Sequence, residues 1–257
     1  MGLSVILITK NEEANLKDCL ESVSFADEII IVDSQSTDQT VSIAKSFGAK
    51  VEITANWPGF GPQKNLALAL ASQDWVLSID ADERVTPELK EEILEVIQSD
   101  NQFDCYAIPR SSWYCGRFMK YSGWYPDYVD RLFKRGTAKF SDHLVHERLL
   151  PQGKVGYFKN HFLHYSYRNF EQVLKKVDAY STASALQAFQ KGKKGSLTKG
   201  LTHGFWAFFR TYVLRKGFLD GSYGLALAIS NAATSYYKYI KLWQLGTAKN
   251  QSTDSPS

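Results

Sequence analysis

Four short apolar runs set the limits on how this chain can fold. Residues 3–8 (LSVILI), 28–32 (EIIIV), 51–53 and 76–79 are rich in β-branched side chains and too short to be helices of a buried core. Between the first and second run, Leu16, Cys19, Leu20 and Val23 recur at helical spacing; after the second, Val41, Ile43, Ala44 and Phe47 do the same, until Gly48. The turn-rich stretch 57–62 (WPGFGP) and an alanine- and leucine-rich helix over 63–71 lead into the fourth run. Strands that alternate with helices in this way predict an α/β chain with a mostly parallel, Rossmann-like sheet. Its ligand crevice is expected beyond the carboxyl ends of the strands.

The polar residues fall where that crevice would be. The first run breaks off at Thr9, Asn11 and Glu12, the second at Asp33, and the fourth at Asp80, Asp82 and Glu83. If the chain stays extended, Asp80 and Asp82 project to the same side, and two adjacent carboxylates call for a cation. Hard oxygen ligands suit Mg²⁺ or Mn²⁺, held by a carboxylate or two together with a substrate's phosphates. A bare D-x-D equally fits a solvated turn ahead of a helix at Pro87. Acidic and polar clusters at several strand ends together point to a nucleotide site. The glycine fingerprint of dinucleotide folds is missing after the first run, which disfavours NAD, and so is the glycine-rich phosphate loop of a nucleotidyltransferase.

Charge is divided along the chain. Residues 1–100 hold 7 Lys and Arg against 18 Asp and Glu, whereas residues 101–257 hold 23 against 9, a split hidden in the net +3. A basic second half suits a phosphate-rich partner or an anionic surface, and no nucleic-acid recognition motif accompanies it. Three scattered cysteines fit reduced thiols of a cytoplasmic protein, and the first ten residues leave no signal peptide.

From 106 to 140 the texture is aromatic and basic, with Arg110, Trp113, Tyr114, Trp124, Tyr128 and Arg131 among its members. Such a stretch reads either as a floor for sugars with clamps for phosphate or as an aromatic core with a basic face. Two H-x-x-H spacings, at 143–146 and 161–164, lack the cysteines and helical pairing of a structural zinc site. The last third reads as helical over 170–189, 204–214 and 223–245. None of it reaches the roughly 18 uninterrupted apolar residues of a membrane span. Its aromatic faces bordered by lysine and arginine fit helices lying on an anionic bilayer, or helices packed on the sheet or in a homo-oligomer.

The segments SVILITKNEE, EIIIVDSQSTDQT, GPQKNLAL and SIDADE, in this order, closely resemble the nucleotide-binding half of family-two glycosyltransferases over residues 3–150. WYPDYVDRLFKRG, LVHERL and RKGFLDGSYGLALAISNAATSYYKYIKLW further resemble lipopolysaccharide core enzymes that add β-linked glucose to an inner-core heptose. The resemblance implies an A-type glycosyltransferase fold with a helical, aromatic-rich C-terminal extension, and an inverting, metal-dependent hexosyltransferase using a UDP-sugar, UDP-glucose in the narrower group. It assigns Thr9 and Asp33 to uracil and ribose, with Asn11, Glu12 and Lys64 beside the nucleotide. Asp80 and Asp82 would serve ribose and a Mg²⁺ or Mn²⁺ ion, with His164 as a further metal ligand. Arg131 would clamp a diphosphate. Inversion needs a group that takes the acceptor hydroxyl's proton; Glu147 is the first candidate, then Asp130 and His146. The Glu-Asp pair and the Gln-x-x-Arg-Trp segment of the wider family are missing, which speaks against processive synthesis.

These readings divide the chain into a catalytic domain over 1–165, a helical region over 166–246 that meets membrane or a second copy, and a disordered tail over 247–257. The expected acceptor is a lipid-linked saccharide, and the expected place is the inner face of the cytoplasmic membrane, peripherally bound. A polyprenyl phosphate or protein acceptor, or a non-enzymatic membrane-docking module, would share many of the same features.

Overall fold

The computed structural model describes residues 1–99, 102–141 and 148–253. The chain runs β1 (Leu3–Thr9), α1 (Glu13–Ser22), β2 (Glu28–Asp33), α2 (Thr40–Ser46), β3 (Lys50–Ile53), α3 (Phe60–Leu70), β4 (Trp75–Ser78), β5 (Glu83–Val85) and α4 (Pro87–Gln98). It continues with β6 (Cys105–Tyr114), β7 (Arg117–Phe118), β8 (Asp127–Lys134), β9 (Ala138–Phe140), β10 (Leu149–Pro151), β11 (Val155–Tyr157) and β12 (Phe162–Tyr167), then α5 (Phe170–Gln190), α6 (Leu197–Phe209) and α7 (Gly221–Thr253). Two compact units emerge, one of residues 1–111 and 126–165, the other of 112–125 and 166–257.

In the first unit β3, β2, β1 and β4 lie side by side and parallel, as the alternating pattern predicts. Period-two alternation then gives β1, β2 and β4 two buried faces, while β3 at the sheet edge stays largely exposed. Leu3, Val5 and Leu7 of β1 join Leu16 and Leu20 of α1 and Leu89, Ile93 and Ile97 of α4 in one core. Ile6 joins Ile30, Val32, Val76 and Ala67 of α3 in the other. The four-residue spacing of Leu89, Ile93 and Ile97 puts all three on one helix face, and Thr86 caps that helix by accepting from the Leu89 N–H at 3.2 Å.

Beyond β4 the sheet becomes mixed. β8 is antiparallel to β4 and to β6, and β12 is antiparallel to β5. Two details of this half matter for chemistry. Tyr106 pairs with Leu132 and Ala107 with Asp130, so Arg131 is the extra residue of a bulge and is re-aimed relative to a regular strand. In β12, His164 lies directly opposite Glu83.

The fourth apolar run ends differently from the extended expectation. β4 stops at Ser78, and residues 80–83 form a turn closed by the Glu83 N–H donating to the Asp80 carbonyl at 2.9 Å. The Arg84 guanidinium braces it by donating to the carbonyls of Ala81, Glu83 and Asn15 at 2.7–2.8 Å. Asp80 and Asp82 therefore sit on a turn and meet different partners.

The second unit is built on α7. α5 contributes Ala185 and Ala188 to a cluster with Leu242, while Tyr114, Met119, Val173 and Leu227 make another. Fully buried Tyr114 bonds Ser230 at 3.1 Å, so this part of the aromatic stretch is core and not a sugar floor. α7 reaches Thr253, past the end expected near 245, because no proline interrupts it before Pro256. Asp220 is fully buried and accepts from the N–H groups of Lys120 and Tyr121 at 3.1 and 3.0 Å, fixing that loop. All three cysteines are free.

Candidate active site

Asp80 is the centre of a chain of alternating charges in the first unit. One carboxylate oxygen lies 3.1 Å from the Lys64 ammonium, and the other takes a hydrogen bond from Arg131. Arg131 also donates to Glu83 at 3.0 Å, and Arg110 reaches Glu83 at 3.5 Å and Asp127 at 3.0 Å. Lys64, Glu83 and Arg131 are almost wholly withdrawn from solvent. Burial alone would push the Asp80 carboxyl up, but Arg131 and Lys64 outweigh it and hold the group well below the usual carboxylate range. The second oxygen of Glu83 accepts from the Asp80 N–H at 3.0 Å, so the buried carboxylate also shapes the turn.

The Gln-Lys-Asn segment of α3 explains how Lys64 gets there. Successive helical side chains point about 100° apart, and each of the three has a separate partner. Gln63 donates to Ser34 at 3.1 Å, Lys64 meets Asp80, and Asn65 exchanges two 2.9 Å hydrogen bonds with the Phe140 backbone.

Asp82 faces the other way. Its carboxylate lies 3.4 Å from His164 Nε2, and the Tyr165 N–H donates to the Asp82 carbonyl at 2.8 Å, an extension of the β5–β12 register. Both side chains keep solvent access, 32% for Asp82 and 18% for His164. A carboxylate and an imidazole converging on a wet edge fit a divalent ion that completes its shell with substrate oxygens and water. Asp80, saturated by two cations, does not share in that pair, and no cluster of three metal-ligating side chains exists among the described residues.

The polar ends of β1 and β2 form a cluster of their own. Asp33 accepts from Thr9 Oγ1 at 2.8 Å, from Ser36 Oγ at 2.6 Å and from the Ser36 N–H at 2.8 Å, and is fully buried. Both carboxylate oxygens are thus engaged, and two of the three contacts come from Ser36. Asn11, with a left-handed φ of 55°, accepts from the Thr37 N–H at 2.8 Å, and the Glu12 N–H donates to Thr40 at 2.7 Å. The two loops are thereby locked together.

A cavity of about 810 Å³ opens on the Asp80 cluster. Of the residues singled out from sequence, Lys64, Asp80, Asp130 and Arg131 line it. Arg110, one of the basic residues read from sequence as a possible phosphate clamp, also lines it, together with Asp127 and Arg148, and Glu83 lies behind; sequence reasoning gave Asp127 and Arg148 no role and left Glu83 without a partner. The signal for Glu83 was present, a third acid at a strand end, but its pairing with two arginines depends on β6 and β8. Asp130 follows Val129 on the rim of the bulge, and burial pushes its carboxyl above the ordinary value. Glu147 and His146, the other base candidates, lie outside the described residues.

This fold and this acid-and-cation cavity at strand ends belong to a class that the chain's relatives make explicit. Residues 4–156 match Glycosyl transferase family 2, and the chain belongs to that family, with its A-type glycosyltransferase fold. It is 32% identical to a glycosyltransferase of Rickettsia bellii over 98% of this chain and 90% of that one. It is 31% identical to the lipopolysaccharide core biosynthesis glycosyltransferase LpsC of Rhizobium meliloti, over 95% and 93% respectively. Among solved structures, TarS of S. aureus in complex with UDP superposes with a TM-score of 0.51 at 17% identity, covering 96% of this chain and 92% of that one.

Proposed function

We propose that this glycosyltransferase moves a hexose, glucose in the first instance, from a UDP-sugar onto an inner-core heptose of lipopolysaccharide, with inversion at the transferred carbon. The observation that carries the reading is the cavity in which Lys64, Arg110 and Arg131 converge around Asp80. Three cations held by internal carboxylates suit a ligand that brings its own negative charge, because a diphosphate can take over contacts the carboxylates now make. The UDP bound in the TarS structure supports a uridine donor, and the role of LpsC in lipopolysaccharide core biosynthesis supports a lipopolysaccharide core acceptor.

In this reading Thr9, Asn11, Glu12 and Asp33 shape the pocket for uracil and ribose. Lys64 and Arg131 bind the diphosphate, and Asp80 orients both cations. Asp82 and His164 would hold a divalent ion, Mn²⁺ suiting the mixed carboxylate and imidazole set better than Mg²⁺; when bound, such an ion neutralises charge on the departing diphosphate. Asp130 faces the cavity with a raised pKa and accepts no hydrogen bond among the described residues, so it is a fitting acceptor for the hydroxyl proton. The acceptor oxygen then bonds to the sugar carbon as the bond to the diphosphate breaks. Glu147 is the competing base.

A screen of UDP-sugars with Mg²⁺, Mn²⁺ or chelator, read by UDP release, tests this. The expected result is release favoured by UDP-glucose and a divalent ion. Absence of UDP release from every donor, with and without a heptose-containing acceptor, would overturn the proposal.

A further inference from the structure

The second unit carries a surface that the transfer chemistry does not use. α6 packs on α7 through a glycine face: a Cβ on Gly200 would come within 3.1–3.2 Å of Ile240 and Tyr236, and one on Gly204 within 3.3 Å of the Ala232 carbonyl. Thr211, two turns on from Gly204 in the π-helical segment Arg210–Leu214, continues this face and accepts from the Asn231 amide at 3.2 Å. At 100° per residue, the side of α6 away from those glycines carries Phe205, Trp206 and Phe209. Phe205 is 70% exposed and Trp206 52%. Their rings form one connected patch, with Phe205 to Phe209 at 6.4 Å and Trp206 to Phe209 at 6.0 Å. Leu201, Val213 and Leu214 extend it, also exposed.

A helix that is apolar on its outer face as well as its inner one belongs in an apolar medium. The surrounding charge says which. Between residues 179 and 247 there are nine lysines and arginines and a single carboxylate, Asp220, which is fully buried against backbone amides. Lys199, Arg210, Arg215 and Lys216 lie in the same segment as the aromatic patch, all four are exposed, and none has a carboxylate partner among the described residues. No described helix is long and apolar enough to cross a membrane. From this pairing of exposed rings with cations that no carboxylate neutralises we infer that the face of residues 197–219 is a docking surface for an anionic lipid bilayer. The rings enter the acyl boundary and the four cations meet headgroup phosphates.

The inference is independent of donor chemistry, and its test needs neither donor nor metal. The whole chain is sedimented with vesicles of phosphatidylcholine alone or mixed equally with phosphatidylglycerol. Binding is expected to be at least about tenfold stronger to the anionic vesicles, and to weaken with salt. The double variant Phe205→Ser, Trp206→Ser should lose binding to both. Lys199→Glu with Arg210→Glu should lose the preference for phosphatidylglycerol. Circular dichroism and UDP release confirm that each variant is folded. Equal binding to both vesicles, or unchanged binding by the aromatic variant, would overturn the proposal. So would a stable dimer in solution that the aromatic variant dissociates, since the patch would then belong to a second copy.

Discussion

In the first unit Lys64, Glu83 and Arg131 are charged and withdrawn from solvent, whereas in the second Phe205 and Trp206 are apolar and stand in it. Both arrangements oppose the ordinary sorting of side chains, and they are tolerated for different reasons. Each buried ion has at least one opposite charge within hydrogen-bonding reach, so the cluster is stable as it stands and ready to exchange partners with an anionic ligand. Among the described residues the exposed rings of Phe205 and Trp206 each meet that of Phe209. As proposed above, the two arrangements have different partners, a small polar ligand for the paired charges and an apolar surface for the rings.

The sharpest way to break that contrast is Asp82→Ala. It removes a proposed metal ligand from a solvent-accessible turn and leaves the buried cluster intact. Turnover is expected to fall at least about 10³-fold while circular dichroism stays unchanged. Full activity without added metal would remove the proposed geometry. Arg131→Met comes next, because it leaves Glu83 and Asp80 short of their shared cation. A loss of about 3–5 kcal/mol is expected on urea denaturation, with weakened UDP binding.

Asp130→Asn should lower turnover by roughly 10²-fold while UDP-sugar binding is kept. The sign of its pH effect follows from burial. Because burial raises the pKa, the carboxylate gains its proton at a higher pH than an exposed aspartate, and the wild-type rate should fall on acidification through that raised value. The acidic limb should vanish in the variant. If Asp130→Asn keeps wild-type turnover and Glu147→Gln does not, the base is Glu147.

Smallest of all, Phe205→Ser should change stability by no more than about 0.5 kcal/mol. A large loss would mean that the ring is structural after all. At the start of β2, Glu28 gives a stability check on acid. Burial would raise its carboxyl, but hydrogen bonds from Lys50, Ser4 and Ser72 bring it down to about 2. Its contribution is present above the ordinary carboxylate value and is lost as pH falls toward about 2, so Glu28→Gln should flatten the acid limb of an unfolding titration.

How far the letters reached differs by residue. The parallel half of the sheet was legible because β1, β2 and β4 are buried on both faces, and continuous β-branched runs are the direct record of that burial. Helix α4 was legible through its Pro87 start. The meeting of Asp82 with His164 was foreshadowed only by the family resemblance. It depends on an antiparallel register between segments some eighty residues apart, and no local pattern encodes that. The aromatic stretch 106–140 read as one feature yet is divided, Tyr114 into the core of the second unit and Arg110 and Arg131 into the cavity of the first.

By itself, then, the amino-acid order determined which segments are strands, which residues end them, and that acidic groups gather at those ends. Such properties follow from short-range periodicity and from the solvation of individual side chains. Tertiary structure alone decided that Asp80 is held by cations while Asp82 stays partly exposed beside His164, since a turn separates them and distant strands supply their partners. Which charge is neutralised and which is free is a matter of what lies across space, and sequence distance carries no record of it.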